Sequence, residues 1–215
     1  MSSLSSLQIN KPIDFSGRTP LIFASQVGAD RRIIDILIKA GAKLGAKDVG
    51  GRTALHLAVW RRRLQAVELL LSRGSNVNEK TIRGNTPLHL AARSSPEWTD
   101  GVKAIMKEEA VEVNPRDKDG RTPLHFACSQ GHLPTVEILL DQDDIDANVM
   151  NNDGDTPLHM AVKKRKYEVV CAMLKQGSFS WISNNQKGHH CLKPFPGSPR
   201  NDTQVNSSGC KCKCC

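Results

Sequence analysis

One eight-residue pattern, met five times, constrains this chain more than any other feature. It reads Gly-Arg-Thr-Pro-Leu-Ile-Phe-Ala (17–24), Gly-Arg-Thr-Ala-Leu-His-Leu-Ala (51–58), Gly-Asn-Thr-Pro-Leu-His-Leu-Ala (84–91), Gly-Arg-Thr-Pro-Leu-His-Phe-Ala (120–127) and Gly-Asp-Thr-Pro-Leu-His-Met-Ala (154–161), with successive copies 34, 33, 36 and 34 residues apart. A unit of that length cannot bury an apolar face alone, so neighbours must stack and the fold must be a linear array. Within each copy the Gly permits a tight turn and Thr is a good N-cap, and the Pro that follows Thr in four of the five copies forfeits no hydrogen bond at the first helical position. A helix therefore begins at every copy. A second apolar run with helical spacing follows each one: Ile33, Ile34, Leu37 and Ile38; Val67, Leu70 and Leu71; Val102, Ile105 and Met106; Val136, Leu139 and Leu140; Val169, Val170, Met173 and Leu174. Leu21, Leu55, Leu88, Leu124 and Leu158, with Ala24, Ala58, Ala91, Ala127 and Ala161, supply the contact face of the first helix of each unit.

The period and the Thr-Pro-Leu-His-x-Ala signature resemble the ankyrin repeat, a β-turn followed by two helices. The resemblance covers residues 10–177 and implies an all-α repeat fold: an ankyrin solenoid of stacked β-turn and helix-turn-helix units with a disordered C-terminal tail. Its divisions are an N-terminal lead-in (1–16), repeats at 17–50, 51–83, 84–119, 120–153 and 154–187, and an aborted sixth repeat with a Cys/Lys tail (188–215). The family uses the His of the signature, here His56, His89, His125 and His159, to hydrogen-bond the neighbouring turn. Metal ligation by these residues is disfavoured, because they lie one per repeat instead of converging with local spacing.

Departures from the pattern carry further expectations. In the third repeat Arg93-Ser-Ser-Pro-Glu-Trp-Thr-Asp100 stretches the link between helices around Pro96, which predicts a longer loop with an exposed Trp98. Arg62-Arg63 and Arg165-Lys166 replace the usual Gly-His between helices, giving basic turns at 60–63 and 163–166 that read either as solvated turns or as contacts for an acidic partner. Gln8 to Asp14 reads as a strand leading into the first repeat. Gly188-His-His-Cys-Leu192 opens a sixth copy, but the prolines of Lys193 to Pro199 forbid its helices. That abandonment leaves the last apolar helix uncapped, to be covered by Phe179, Trp181 and Ile182, and suggests a shortened product of a longer ankyrin protein.

The charge is not evenly spread. Of a formal +8, residues 178–215 hold +4 (Lys187, Lys193, Arg200, Lys211 and Lys213 against Asp202), which leaves +4 for the body. By the resemblance, partners contact the turn tips and the exposed positions of the first helices, which line a concave groove. The residues carried over as partner-binding are Val49, Arg52, Trp60, Arg61, Ile82, Arg83, Arg93, Lys118, Arg121, Lys163 and Lys164, with Phe15, Arg18 and others beside them. Basic residues outnumber acidic ones there, which favours an acidic segment of a partner protein and electrostatic steering of its approach. Trp60, flanked by Val49, Ile82 and arginines, is the candidate desolvated anchor. Nucleic acid ranks lower as a partner, since no nucleic-acid module or aromatic interleaving accompanies the charge.

Five of the seven cysteines fall in the last 25 residues. Gly209-Cys-Lys-Cys-Lys-Cys-Cys215 reads in three ways: a tail without site chemistry, S-acylation at Cys210, Cys212, Cys214 and Cys215 with lysine attraction to anionic lipid, or thiolate metal binding. The first of these needs no cofactor, and none is expected elsewhere. No phosphate loop, His-Glu-x-x-His or nucleophile motif is present, so an enzyme is not expected. The expectation is a monomeric, cytoplasmic scaffold or adaptor, with nuclear or membrane-associated pools as variants.

Overall fold

The computed structural model describes residues 8–94 and 98–175. Ten helices pair along it: α1 (Pro20–Val27) with α2 (Arg31–Lys39), α3 (Ala54–Trp60) with α4 (Leu64–Ser72), α5 (Pro87–Arg93) with α6 (Thr99–Met106), α7 (Pro123–Gln130) with α8 (Leu133–Leu140), and α9 (Pro157–Lys163) with α10 (Tyr167–Lys175). The first helices of the pairs pack in series, α1 on α3 on α5 on α7 on α9, and the second helices form a parallel series behind them. No strand occurs among the described residues. The chain is an all-α repeat array.

Burial follows the periodicity. Leu21, Leu55, Leu88, Leu124 and Leu158 and the five signature alanines are all buried, and Ile34, Val67, Leu70, Val102, Ile105, Val136, Leu139, Val169 and Met173 meet them from the second row. One cluster runs the length of the array with few rings in it, because each layer is only one helix thick and is filled by Leu, Val and Ala. Ile33 departs from this pattern. In α2 the buried stripe is Ile34 with half-buried Leu37 and Ile38, and Ile33 and Ile36 flank it toward solvent.

The turns are built alike. Asp48 Oδ1 accepts from the amides of Gly50 and Arg52 at 2.8 Å each, Asp117 does the same for Asp119 and Arg121, and Asn151 for Asp153 and Asp155. Such side-chain turns close the loop without a strand partner. Each tip then donates one amide to the tip before it: Val49 to Ser16, Ile82 to Gly50, Lys118 to Arg83 and Asn152 to Asp119, at 2.9–3.1 Å. The close approach explains the glycines. Gly51 has φ +70°, and a Cβ on it would lie 2.8 Å from the amide nitrogen of Ile82. Asn78 and Asn114 clamp the far side of the layers, each side-chain amide donating to a carbonyl of the next unit (Ala110, Asp144) and each oxygen accepting from an amide there (Glu112, Asp146).

Two expectations are corrected. Gln8 and Ile9 are helical, and the lead-in is not a strand: Lys11 donates to the Gln8 carbonyl, and Asn10 bonds the Gly41 carbonyl and the Lys43 amide of the next turn. Trp98 is not exposed. It is 9% accessible and belongs to the core, because Gly101 opens a place for the ring that any Cβ would fill. The longer link is present, but its aromatic residue folds back onto the helix it precedes, where the ring is removed from water. Phe179, Trp181, Ile182, the begun sixth repeat and the cysteine tail lie outside the described residues.

Candidate functional site

The surface lined by turn tips and by exposed positions of α1, α3, α5, α7 and α9 has a hidden layer and an outward one. The hidden layer belongs to the histidines. Nδ1 of His56, His89 and His125 accepts from the amide of the N-cap threonine three residues earlier at 3.1–3.2 Å, so Nε2 carries the proton and donates it to the carbonyl of the next tip: Asn85 at 3.1 Å, Arg121 at 2.9 Å and Asp155 at 2.9 Å. His takes the role that Glu or Gln has in an ordinary capping box, and it also reaches the neighbouring unit. Loss of water around the rings pushes these three pKa values down to about 4, against a smaller opposing pull from the accepting carbonyls. His159 makes the same bond to the Thr156 amide. Both ring nitrogens of His56, His89 and His125 are thus spent on the scaffold.

The outward layer divides its cations into two sets. Arg52 pairs with Asp48, Arg121 with Asp117 and Asp119, Lys163 with Asp155, and Arg18 with Asp14. Arg61, Arg83, Arg93, Lys118 and Lys164 are exposed and have no carboxylate partner among the described residues. The positive character of the surface therefore rests on these five and on exposed Arg62 beside Trp60, fewer than a count of basic positions gives. The pairing was readable: the carboxylate stands four residues before the arginine in Asp14-Phe-Ser-Gly-Arg18, Asp48-Val-Gly-Gly-Arg52 and Asp117-Lys-Asp-Gly-Arg121.

Aromatic rings sit among the guanidiniums. The Trp60 ring lies 4.6 Å from the Arg61 guanidinium carbon and 5.9 Å from that of Arg52, and Trp60 remains 44% exposed. Phe126, which the sequence did not single out, lies 4.7 Å from Arg121 and 5.8 Å from Arg93. Stacking of this kind holds long arginine side chains in place and lowers the entropy lost on binding. A shallow cavity of about 170 Å³ opens between Trp60, Arg62, Leu90, Arg93 and Ser94. Arg62 stands beside it with φ +57°, in the left-handed conformation that Gly28 and Gly131 adopt in the equivalent turns, and Arg165 repeats this at φ +56°. The basic turns are partly structural: Arg63 donates to the Val27 carbonyl and covers Gly28, and Lys166 covers Gly131. Val49 and Ile82 are exposed at the second and third tips.

Among the described residues no group of three His, Cys, Asp or Glu is placed to hold a metal ion, and no helix is long and apolar enough to cross a membrane. Cys128 is buried with its thiol 3.4 Å from the Met173 sulfur, and burial pushes its pKa up, away from nucleophilic use.

A family model described as ankyrin repeats (3 copies) matches residues 3–81, 51–117 and 88–184. The chain is 34% identical over 138 residues to the human transient receptor potential cation channel subfamily A member 1, covering 61% of this chain and 12% of the channel. It is 48% identical over 42 residues to the mouse serine/threonine-protein kinase TNNI3K (20% and 5%), and 69% identical over 29 residues to the rice acyl-CoA-binding domain-containing protein 4 (14% and 9%). It thus spans only a small part of the length of each of these relatives.

Proposed function

The chain belongs to the ankyrin-repeat family, whose repeats generally serve as protein-interaction modules, and from that premise we propose that it is a non-enzymatic cytoplasmic adaptor whose groove holds an acidic segment of a partner protein. The observation that carries the proposal is the set of exposed cations without a carboxylate partner among the described residues, Arg61, Arg83, Arg93 and Lys118, of which Arg61 stacks on half-exposed Trp60 and Arg93 shares a cavity with it. Charges left exposed and unpaired steer an oppositely charged chain, and a stacked Trp gives it a surface from which to exclude water.

The test is fluorescence anisotropy with labelled pools of 12-residue peptides of acidic, neutral and basic composition. The acidic pool binds the full chain, binding weakens between 50 and 300 mM salt, and the Arg61→Glu/Arg93→Glu double variant loses at least tenfold in affinity. Equal binding of the three pools defeats the proposal. Trp60→Ala, folded and binding at unchanged affinity, removes the anchor role.

A second reading concerns location. The alternation Cys210-Lys-Cys-Lys-Cys-Cys215 suits S-acylation beside a lysine-attracting anionic membrane surface. Mass spectrometry of the C-terminal peptide from cells distinguishes acyl chains from free thiols.

A further inference from the structure

The outward residues at the tips change character along the array. Phe15 at the first tip is 107% exposed, Val49 at the second 67% and Ile82 at the third 60%, whereas the fourth and fifth tips present Lys118 and Asn152 at the same position. The three apolar side chains are held in line, since the Val49 amide donates to Ser16 and the Ile82 amide to Gly50. Apolar residues that a monomer leaves exposed in a row mark a place where another chain docks.

The charge beside this row is graded in the same direction. At the first two tips the cation is neutralised in place, Arg18 by Asp14 and Arg52 by Asp48. Arg83 at the third tip and Arg93 on the helix that follows it have no carboxylate partner among the described residues, and at the fourth tip Lys118 stays unpaired beside Arg121, which Asp117 and Asp119 hold. The first two tips are therefore apolar with their cations neutralised, and the unpaired cations beside the row, Arg83, Arg93 and Lys118, begin at the third.

Spacing fixes the register of what fits. Helices packed side by side stand roughly 8–10 Å apart, and a chain extended in the polyproline-II conformation, whose three residues per turn bring i, i+3 and i+6 to one face, advances about 3.1 Å per residue. One unit of the array thus matches three residues of an extended ligand. We infer that the groove reads an extended segment with apolar residues at i, i+3 and i+6 against Phe15, Val49 and Ile82, followed at the end over Arg83, Arg93 and Lys118 by carboxylates. This rests on the acidic-segment proposal and adds its register and polarity. A continuous helix does not meet the condition, because its apolar residues at i, i+3 and i+6 advance only about 1.5 Å per residue and fall short of successive tips.

Selection of random 12-residue peptides displayed on phage against the immobilised full chain tests it. The expected outcome is enrichment of sequences with apolar residues at three-residue spacing and acidic residues clustered at one end. Acidic sequences without the spacing overturn the register while leaving the acidic-segment proposal standing. Non-acidic sequences, or no enrichment, overturn both. For the strongest selected peptide, Val49→Asp and Ile82→Asp each weaken binding at least tenfold, as does insertion of one residue between two apolar positions of the peptide. Lys103→Gln, on the second row of helices, leaves binding unchanged. Both tip side chains project into solvent, so the variants keep their fold by circular dichroism. Unchanged affinity in either of them overturns the inference.

Discussion

The first three tips show Phe15, Val49 and Ile82 to solvent and the last two show Lys118 and Asn152, yet beneath them the construction barely changes. The same glycine with positive φ and the same tip-to-tip amide bond recur from Gly51 to Gly154, and the turn is closed by a carboxylate or amide side chain, or at the third tip by the Thr81 hydroxyl. Scaffold and recognition thus occupy different atoms of the same short segment: the backbone and the buried His face carry the stack, and the outward side chain is left to vary. The two ends of the array should accordingly share one stability and differ in what they bind, and three perturbations test that separation.

The largest effect is expected from acid. His56, His89 and His125 span the second to fourth units and sit with pKa values of about 4. The unfolded chain, with imidazoles near 6.5, takes up protons first as pH falls, so their stabilisation is complete above about 6.5 and is lost as the pH drops toward 4. At pH 5 the loss is about 2 kcal/mol per ring, about 6 kcal/mol for the three. Urea unfolding followed by circular dichroism at pH 7.5 and 5.0 should show one transition moving to lower urea. Two separated transitions, one for each end, would break the claim of a shared scaffold.

Next comes a methyl group at a tip. Gly51→Ala places a Cβ at φ +70° and 2.8 Å from the Ile82 amide nitrogen, whereas at Gly74, with φ +82°, nothing lies within 4 Å. The conformational penalty alone is about 1 kcal/mol, so Gly74→Ala should cost about that much and Gly51→Ala about 3 kcal/mol. Equal losses in denaturant titration would mean that the close approach of the tips is not what requires the glycine.

The smallest effect separates the two basic turns. Arg62→Gly and Arg165→Gly each relieve a left-handed backbone and should each stabilise by about 0.5–1 kcal/mol, the residual being set by glycine's greater freedom when unfolded. Only Arg62 lines the cavity beside Trp60. Affinity for an acidic peptide should therefore fall in the Arg62 variant and hold in the Arg165 variant. Parallel thermal melts and anisotropy titrations read both quantities.

Much of the fold was legible beforehand because its determinants are local and repeated. Thr at the N-cap and Leu and Ala at helical spacing in all five copies, with Pro after the Thr and His at the third helical position in four each, act within one turn of chain, and the repetition exposes the rule. The site was legible in part. Trp60, Val49 and Ile82 are exposed, whereas Arg52 and Arg121 are held by Asp48 and Asp117 of their own turns. This pairing has a local signal, since the partner stands four residues away in the chain.

Other features had no such local signal. Trp60 and Trp98 are the same residue type, each near an interhelical turn, and one stands in solvent between two guanidiniums while the other enters the core. The difference rests on the gap at Gly101 and on what packs around it. Likewise the reach of Arg63 and Lys166 across to the preceding turn, and the gradient from apolar tips to unpaired cations, exist only once units 33 to 36 residues apart lie side by side. The elements, their order and their stacking follow from the chain's local pattern, because short-range sterics and capping set them. The tertiary structure decided which aromatic rings and charges remain outside, because burial and ion pairing depend on neighbours that the chain brings together only by folding.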